Sequence, residues 1–186
     1  ISYRLVKLDK EERVVDLNKP QLLKGFNEVT KGNGYYKARF STAASPKELI
    51  AGNYMLRSIY KAKNTDHVIY TMESFEQYPD LHYATLDFKK SIRLTHGIDQ
   101  QKDYLWGTAE LVSWISLDGR KLEGVVYKPA NFDPAKKYPM IVSFYERNSE
   151  TLFNYRMPEP HRSTIDYHLY NSNGYIVFNP DIRYVD

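Results

Sequence analysis

Residues 129–145, Pro-Ala-Asn-Phe-Asp-Pro-Ala-Lys-Lys-Tyr-Pro-Met-Ile-Val-Ser-Phe-Tyr, decide the class of this chain. The segment starts as a polar loop bounded by prolines and passes through Pro139 into Met140-Ile141-Val142-Ser143-Phe144-Tyr145. An apolar run without period-2 alternation predicts a strand, Tyr138 to Tyr145, buried on both faces as in a parallel sheet covered by helices. Tyr145 stands at its carboxyl end, where open α/β sheets bind their ligands. It is therefore the first candidate for chemistry.

Working outward, residues 146–161 read as an irregular loop containing Pro158 and Pro160. Arg162 to Ser172 then reads as a helix, with Ser163 or Thr164 as cap, Ile165 and Leu169 at i, i+4, and Asn173-Gly174 as its stop. Tyr175 to Asn179 is a second continuous apolar strand, so strand, loop, helix and strand make a βαβ unit. Upstream, Leu111 to Leu117 and Lys121 to Lys128 flank Asp118-Gly119, a dipeptide suited to a type I′ hairpin turn.

The first half has a different pattern. Tyr54 to Ala62, His67 to Glu73, Leu81 to Phe88 and Ser91 to Thr95 are consecutive strand candidates joined by short polar turns, which predicts an antiparallel meander. Four strands in about 40–45 residues is the size of one β-propeller blade. Further upstream, Tyr3 to Leu8, Glu12 to Leu17 and Tyr35 to Phe40 are strand-like, and no clean second copy of the meander is visible. Ser45-Pro46-Lys47-Glu48 has the form of a helix start, predicting a short helical turn ended by Gly52. Residues 96–110 read as a crossing segment. The expected class is mixed, with antiparallel β first and α/β last.

Composition narrows the function classes. The 186 residues carry 26 basic and 23 acidic side chains, a net charge of +3, with no basic tract, so neither nucleic acid nor an anionic membrane surface is implied. Cysteine is absent, which excludes a thiolate nucleophile or a thiolate metal site. No apolar run approaches the roughly 18 residues of a membrane span. The chain opens Ile-Ser-Tyr-Arg-Leu and closes Asp-Ile-Arg-Tyr-Val-Asp directly after a strand, as expected of a piece of something longer. Tyrosine, at 17 residues, is the compositional outlier and favours strands and half-buried surfaces.

The order of these signals resembles the prolyl oligopeptidase (S9) family of serine peptidases, in particular its dipeptidyl-peptidase-like members. The residues that carry the resemblance are Tyr127-Lys128-Pro129, Asn131-Phe132-Asp133-Pro134, Lys136-Lys137-Tyr138-Pro139 and the strand ending in Tyr145. Asn173-Gly174-Tyr175-Ile176-Val177 and Asn179-Pro180-Asp181-Ile182-Arg183 continue it, the latter similar to the family's D-x-R turn. The resemblance implies that residues 1–110 are the C-terminal part of a β-propeller, here partial blades. It implies that residues 111–186 are the N-terminal part of an α/β-hydrolase domain. It further implies an exported parent acting on a peptide or acyl substrate, without a cofactor.

In that family a tyrosine at the end of this strand donates its hydroxyl to the oxyanion of the tetrahedral intermediate, and Tyr145 matches the position. The residues alone point first to a tyrosine that caps a buried strand, its hydroxyl satisfied by backbone, and it is the resemblance that turns the reading toward the oxyanion. Glu146-Arg147-Asn148 stand where many members have a small, glycine-rich turn, which makes Glu146 and Arg147 substrate-proximal candidates as well as residues of a solvated loop. None of the nine glycines belongs to a G-x-S-x-G nucleophile elbow, and in this fold the Ser-Asp-His triad follows the strand at 175–179. The chain by itself is therefore expected to be inactive.

The five histidines, His67, His82, His96, His161 and His168, offer no private triad. His161 and His168 have Asp166 nearby but no evident third ligand, so no metal site is expected. Glu73, Glu76 and Asp80 read as solvated turn chemistry. Uncovered sheet edges predict self-association. The alternative to a peptidase segment is a non-catalytic β-rich module binding carbohydrate or protein, which predicts exposed aromatic side chains clustered on one face of the first 110 residues.

Overall fold

The computed structural model describes residues 1–9, 11, 13–159 and 165–182. They form two compact units, Ile1–Glu73 with Pro79–His96, and Ser74–Tyr78 with Gly97–Asp186.

The first unit is two four-stranded antiparallel meanders. One comprises β1 (Ser2–Leu5), β2 (Gln21–Phe26), β3 (Asn33–Ala38) and β4 (Lys47–Gly52), and the other β5 (Met55–Lys61), β6 (His67–Glu73), β7 (Asp80–Thr85) and β8 (Ser91–Arg93). In each the spatial order equals the chain order, the arrangement of propeller-like blades. Alternate side chains enter one core: Tyr35 from β3, Leu56 from β5, Val68 and Tyr70 from β6, and Ala84 from β7. Tyr35 meets Tyr70 edge-on at 6.4 Å and lies parallel to Phe88 at 5.3 Å.

The second meander forms where the sequence places it. In the first, β1 and β3 overlap the strands expected at Tyr3 to Leu8 and Tyr35 to Phe40, and two other expectations are corrected. Lys47–Gly52 is a strand, not a helical turn, because pairing with β3 (Tyr35↔Ile50) outweighs the local Ser-Pro-Lys-Glu signal. The described residues of Glu12 to Leu17 (Glu12 itself lies outside them) are not a strand, and Gln21–Phe26 takes that place, with Leu22 and Leu23 buried. Gly34 allows β3 and β4 to approach, since a Cβ there would stand 2.8 Å from the Ile50 carbonyl oxygen.

The second unit is a four-stranded sheet ordered β11-β12-β10-β9, built from β9 (Thr108–Ile115), β10 (Lys121–Lys128), β11 (Met140–Val142) and β12 (Ile176–Pro180). β10 pairs antiparallel with β9 on one side and with β12 on the other, while β11 pairs parallel to β12 (Ile141↔Val177). A helix, α1 (Tyr167–Ser172), lies between β11 and β12 in the chain. Phe75, Val125, Tyr127, Leu152, Tyr167 and Val177 form the buried cluster.

Three further expectations change here. The hairpin turn is not type I′. Of its two central residues only Gly119 has positive φ (+79°), Gly119 N–H donates to Ser116 O at 2.9 Å, and Ser116 N–H donates to Arg120 O at 2.8 Å. That is a three-residue loop closed by a left-handed glycine. The helix is shorter than expected, with Asp166 as its cap, accepting from the His168 and Leu169 N–H groups at 3.0 and 3.1 Å. The expected caps Ser163 and Thr164 lie outside the described residues.

The strand expected over Tyr138 to Tyr145 is three residues long, Met140–Val142, and is not buried on both faces. β11 is an edge strand, and its register puts Ile141 beside the buried Val177. Met140 and Val142, which alternate with Ile141, point to the other face and are half exposed.

Candidate functional site

Tyr145 follows β11 by three residues, and its side chain is 76% exposed. Among the described residues its hydroxyl makes no hydrogen bond, so the reading of a strand cap satisfied by backbone has no support there. The parallel pairing extends one step toward it, Ser143 N–H donating to Phe178 O at 2.9 Å. The chain then turns sharply. Glu146 has φ +55°, a left-handed conformation that favours glycine.

The loop after Tyr145 is tied to the end of β12. Asp181 Oδ1 accepts the N–H groups of Asn148 at 2.6 Å and Ser149 at 2.7 Å, while its Oδ2 accepts from Ser149 Oγ at 2.6 Å. Asn148 Nδ2 donates to Tyr145 O at 2.9 Å and Pro180 O at 3.2 Å. Ile182 N–H donates to Glu146 O at 3.0 Å. Ser149 is fully buried and starts a single 3-10 turn, Ser149–Thr151. Such charge-assisted bonds are short and strong. In the sequence Asp181 stands out only as part of a D-x-R turn; the further signal is a carboxylate just past a strand end, where backbone N–H groups need an acceptor.

Glu146 and Arg147 are both exposed and do not pair with each other. Arg147 Nη1 lies 3.4 Å from Glu150 Oε1, with both side chains about half exposed, a geometry worth little in water. Tyr145, Glu146 and Arg147 thus share one exposed loop. An exposed phenol with an unengaged O–H can donate one hydrogen bond to an anion that develops beside it.

The remaining candidates are accounted for by packing. Glu73, Glu76 and Asp80 are not one solvated group: Glu73 is buried and meets Arg57 Nε at 2.9 Å, Asp80 is fully buried against Arg93, and only Glu76 is exposed. The sequence signal overlooked was the arginine on each partner strand. His67 lies edge-on to Tyr83, His82 stacks on Tyr70 at 5.3 Å, and His96 is exposed. His161 lies outside the described residues.

His168 is held between Phe75 (5.2 Å) and Trp106 (4.0 Å), with Nε2 at 2.8 Å from Arg156 O. Burial pulls its pKa below the usual imidazole value, against the opposing effects of the Arg156 carbonyl and Asp166. It lines a mostly apolar hollow of about 220 Å³ with Trp106, Leu105 and Leu169. Of the tyrosines in the first unit, Tyr35, Tyr36 and Tyr70 are interior, and the exposed Tyr3 and Tyr60 belong to different sheets. Among the described residues no group of three His, Cys, Asp or Glu side chains is arranged to hold a metal, and no helix is long and apolar enough to cross a membrane.

Two blade-like sheets and a mixed sheet with one parallel edge define the kind of protein to which this chain is similar. No protein-family model matches the sequence, and no curated protein sequence matches it. Solved structures do match its fold. The chain superposes on Porphyromonas gingivalis dipeptidyl peptidase 4 with TM-score 0.66 and 18% identity, covering 96% of this chain and 24% of that one. For Pyrococcus horikoshii acylaminoacyl peptidase the values are 0.61, 17%, 88% and 24%. For the AtxE2 isopeptidase with Astexin3-dC4 bound they are 0.63, 12%, 91% and 25%. These neighbours are peptidases of the S9 family. The chain spans about a quarter of their length.

Proposed function

We propose that this chain is a segment of a serine peptidase or related acyl hydrolase of the prolyl oligopeptidase family. In this reading residues 1–110 contribute the last strands of a β-propeller and residues 111–186 the first strands of an α/β-hydrolase domain. The observation that carries it is the pairing of a fold likeness to S9 peptidases over nearly the whole chain with an exposed Tyr145 just beyond the parallel strand β11. The parent would be exported and would act on a peptide or acyl substrate.

The Tyr145 hydroxyl supplies the oxyanion with one oriented donor. A serine on a later part of the parent attacks the carbonyl, and negative charge gathers on its oxygen in the tetrahedral intermediate. A phenol O–H held by a tethered loop strengthens its bond as that charge develops, which lowers the barrier rather than the ground state. The nucleophile, acid and base are not supplied by this chain. Glu146 and Arg147, exposed on the same loop, would meet a charged part of the substrate in this reading. The open face beside Met140 and Val142 makes the isolated chain prone to self-association.

The test is Tyr145→Phe in the full-length protein, assayed on peptide nitroanilides and acyl nitrophenyl esters. Loss of about 10²–10³ in kcat with little change in KM is expected for removal of one oxyanion donor. A variant with wild-type kcat sinks the assignment. The 186-residue chain alone is expected to hydrolyse neither substrate above its own Tyr145→Phe control.

A further inference from the structure

The Tyr145 loop contains a device that the oxyanion reading does not require. One carboxylate, Asp181, receives three donors from two adjacent residues of that loop: two backbone N–H groups on Oδ1 and the Ser149 hydroxyl on Oδ2. It does so across 33 positions of sequence and from the end of a different strand. Its own N–H is anchored on Glu123 O at 2.9 Å, so the carboxylate hangs from the sheet rather than from the loop. On the other side, Asn148 returns its amide to Tyr145 O, and Glu146 keeps φ +55°. A non-glycine residue stays left-handed only where its surroundings hold it there.

We propose that Asp181 is the positioning residue of the site: its carboxylate sets the conformation of residues 145–149 and thereby the place of the Tyr145 hydroxyl. The inference rests on the oxyanion reading of Tyr145. The chain of contact is explicit. Asp181 holds Asn148 and Ser149 by their backbone, Asn148 holds the Tyr145 carbonyl, and Ile182 N–H holds the Glu146 carbonyl. Asp181 does not touch the reacting atoms. It acts through the loop that carries Tyr145.

The chemistry distinguishes two replacements. Alanine removes every acceptor. Asparagine keeps Oδ1 for the two N–H groups and can offer Nδ2 to Ser149 Oγ, so most of the geometry survives.

The experiment uses the full-length protein, amide hydrogen exchange and the nitroanilide assay. Asp181→Ala is expected to speed exchange at Asn148 and Ser149 about tenfold or more while the β12 amides stay protected. It is expected to lower kcat about 10²-fold at unchanged KM, the size of effect a displacement near 1 Å produces. Asp181→Asn is expected to restore most of both. In a Tyr145→Phe background Asp181→Ala should lower kcat no further, because the group it positions is gone.

Unchanged exchange at Asn148 and Ser149 overturns the inference, as does an equal kcat loss in both backgrounds, which would mark general damage. Ser149→Ala removes only the hydroxyl donor; it must shift the same two amides in the same direction, and no shift overturns the inference even where Asp181→Ala does not fold. Wild-type kcat for Tyr145→Phe sinks the oxyanion reading separately, and with it the catalytic half of the inference, while the exchange data still decide what holds the loop.

Discussion

The Arg93 guanidinium closes on the fully buried carboxylate of Asp80, and Thr95 Oγ1 donates to the same carboxylate at 2.8 Å. Both partners come from β7 and β8 or the residues just after, so the bond fastens the last strand of the second meander. Burying an ion pair gains little net stability, whereas removing one partner leaves the other charged and desolvated. The two deletions are unequal because Arg93 is 33% exposed and Asp80 is not exposed at all. Arg93→Ala is expected to destabilise the first unit by about 3–5 kcal/mol, and Asp80→Ala by the lower end of that range. Urea unfolding monitored by a probe in this unit measures both; equal and small shifts would mean that water reaches Asp80.

His82 lies beside the same pair and stacks on Tyr70. Burial is the main reason its pKa is lowered; the Arg93 charge acts in the same direction, and Asp80 opposes both. The folded state therefore binds a proton less readily than the unfolded chain. Stability from neutral His82 is complete above the ordinary imidazole pKa of about 6.5 and is lost as pH falls through the lower folded value. The urea midpoint of this unit is expected to drop between pH 7.5 and pH 5, and His82→Gln should flatten that drop. An unchanged pH profile in the variant would assign the acid sensitivity to other groups.

Much of this architecture was legible where local and long-range signals agree. His67–Glu73 is a β-rich run bounded by polar turns, and in the fold it alternates as a strand must, with Val68 and Tyr70 buried and His67 and Ile69 exposed. Lys47–Gly52 was misread because Ser45-Pro46-Lys47-Glu48 imitates a helix start, while the partner that makes it a strand lies on β3. The position of Tyr145 could be read from the apolar run before it. Its exposure could not, since that depends on which face of β11 is covered. Asp181 was least legible of all, because its three bonds join segments more than 30 residues apart.

Asn171 is the pin between α1 and the sheet. Its Nδ2 donates to Tyr127 O at 3.0 Å on β10 and to Tyr175 O at 2.9 Å before β12, with the side chain 2% exposed. Removing a buried donor strands its acceptors at about 1–3 kcal/mol each. Asn171→Ala is expected to destabilise the second unit by roughly 2–4 kcal/mol on that basis. Asn171→Asp replaces the donor with an oxygen facing two carbonyls and should cost more. Thermal or urea unfolding of the two variants ranks them, and an aspartate variant as stable as wild type would show that the amide is not the pin.

At Glu146 the chain keeps a left-handed conformation without the residue that suits it. For a side chain with a Cβ this conformation costs about 1–2 kcal/mol. Glycine removes that cost but adds about 0.5–1 kcal/mol of unfolded-state entropy. Glu146→Gly is therefore expected to stabilise the second unit by a few tenths to about 1 kcal/mol, the difference of those two terms. Glu146→Val combines a branched Cβ with positive φ and should destabilise it. If Asp181 and Ile182 hold the loop, the glycine variant keeps slow amide exchange at Asn148 and Ser149, since those amides are bonded to Asp181 and not to the Glu146 side chain. Faster exchange there would mean that the stiffness of residue 146, rather than the Asp181 carboxylate, keeps Tyr145 in place.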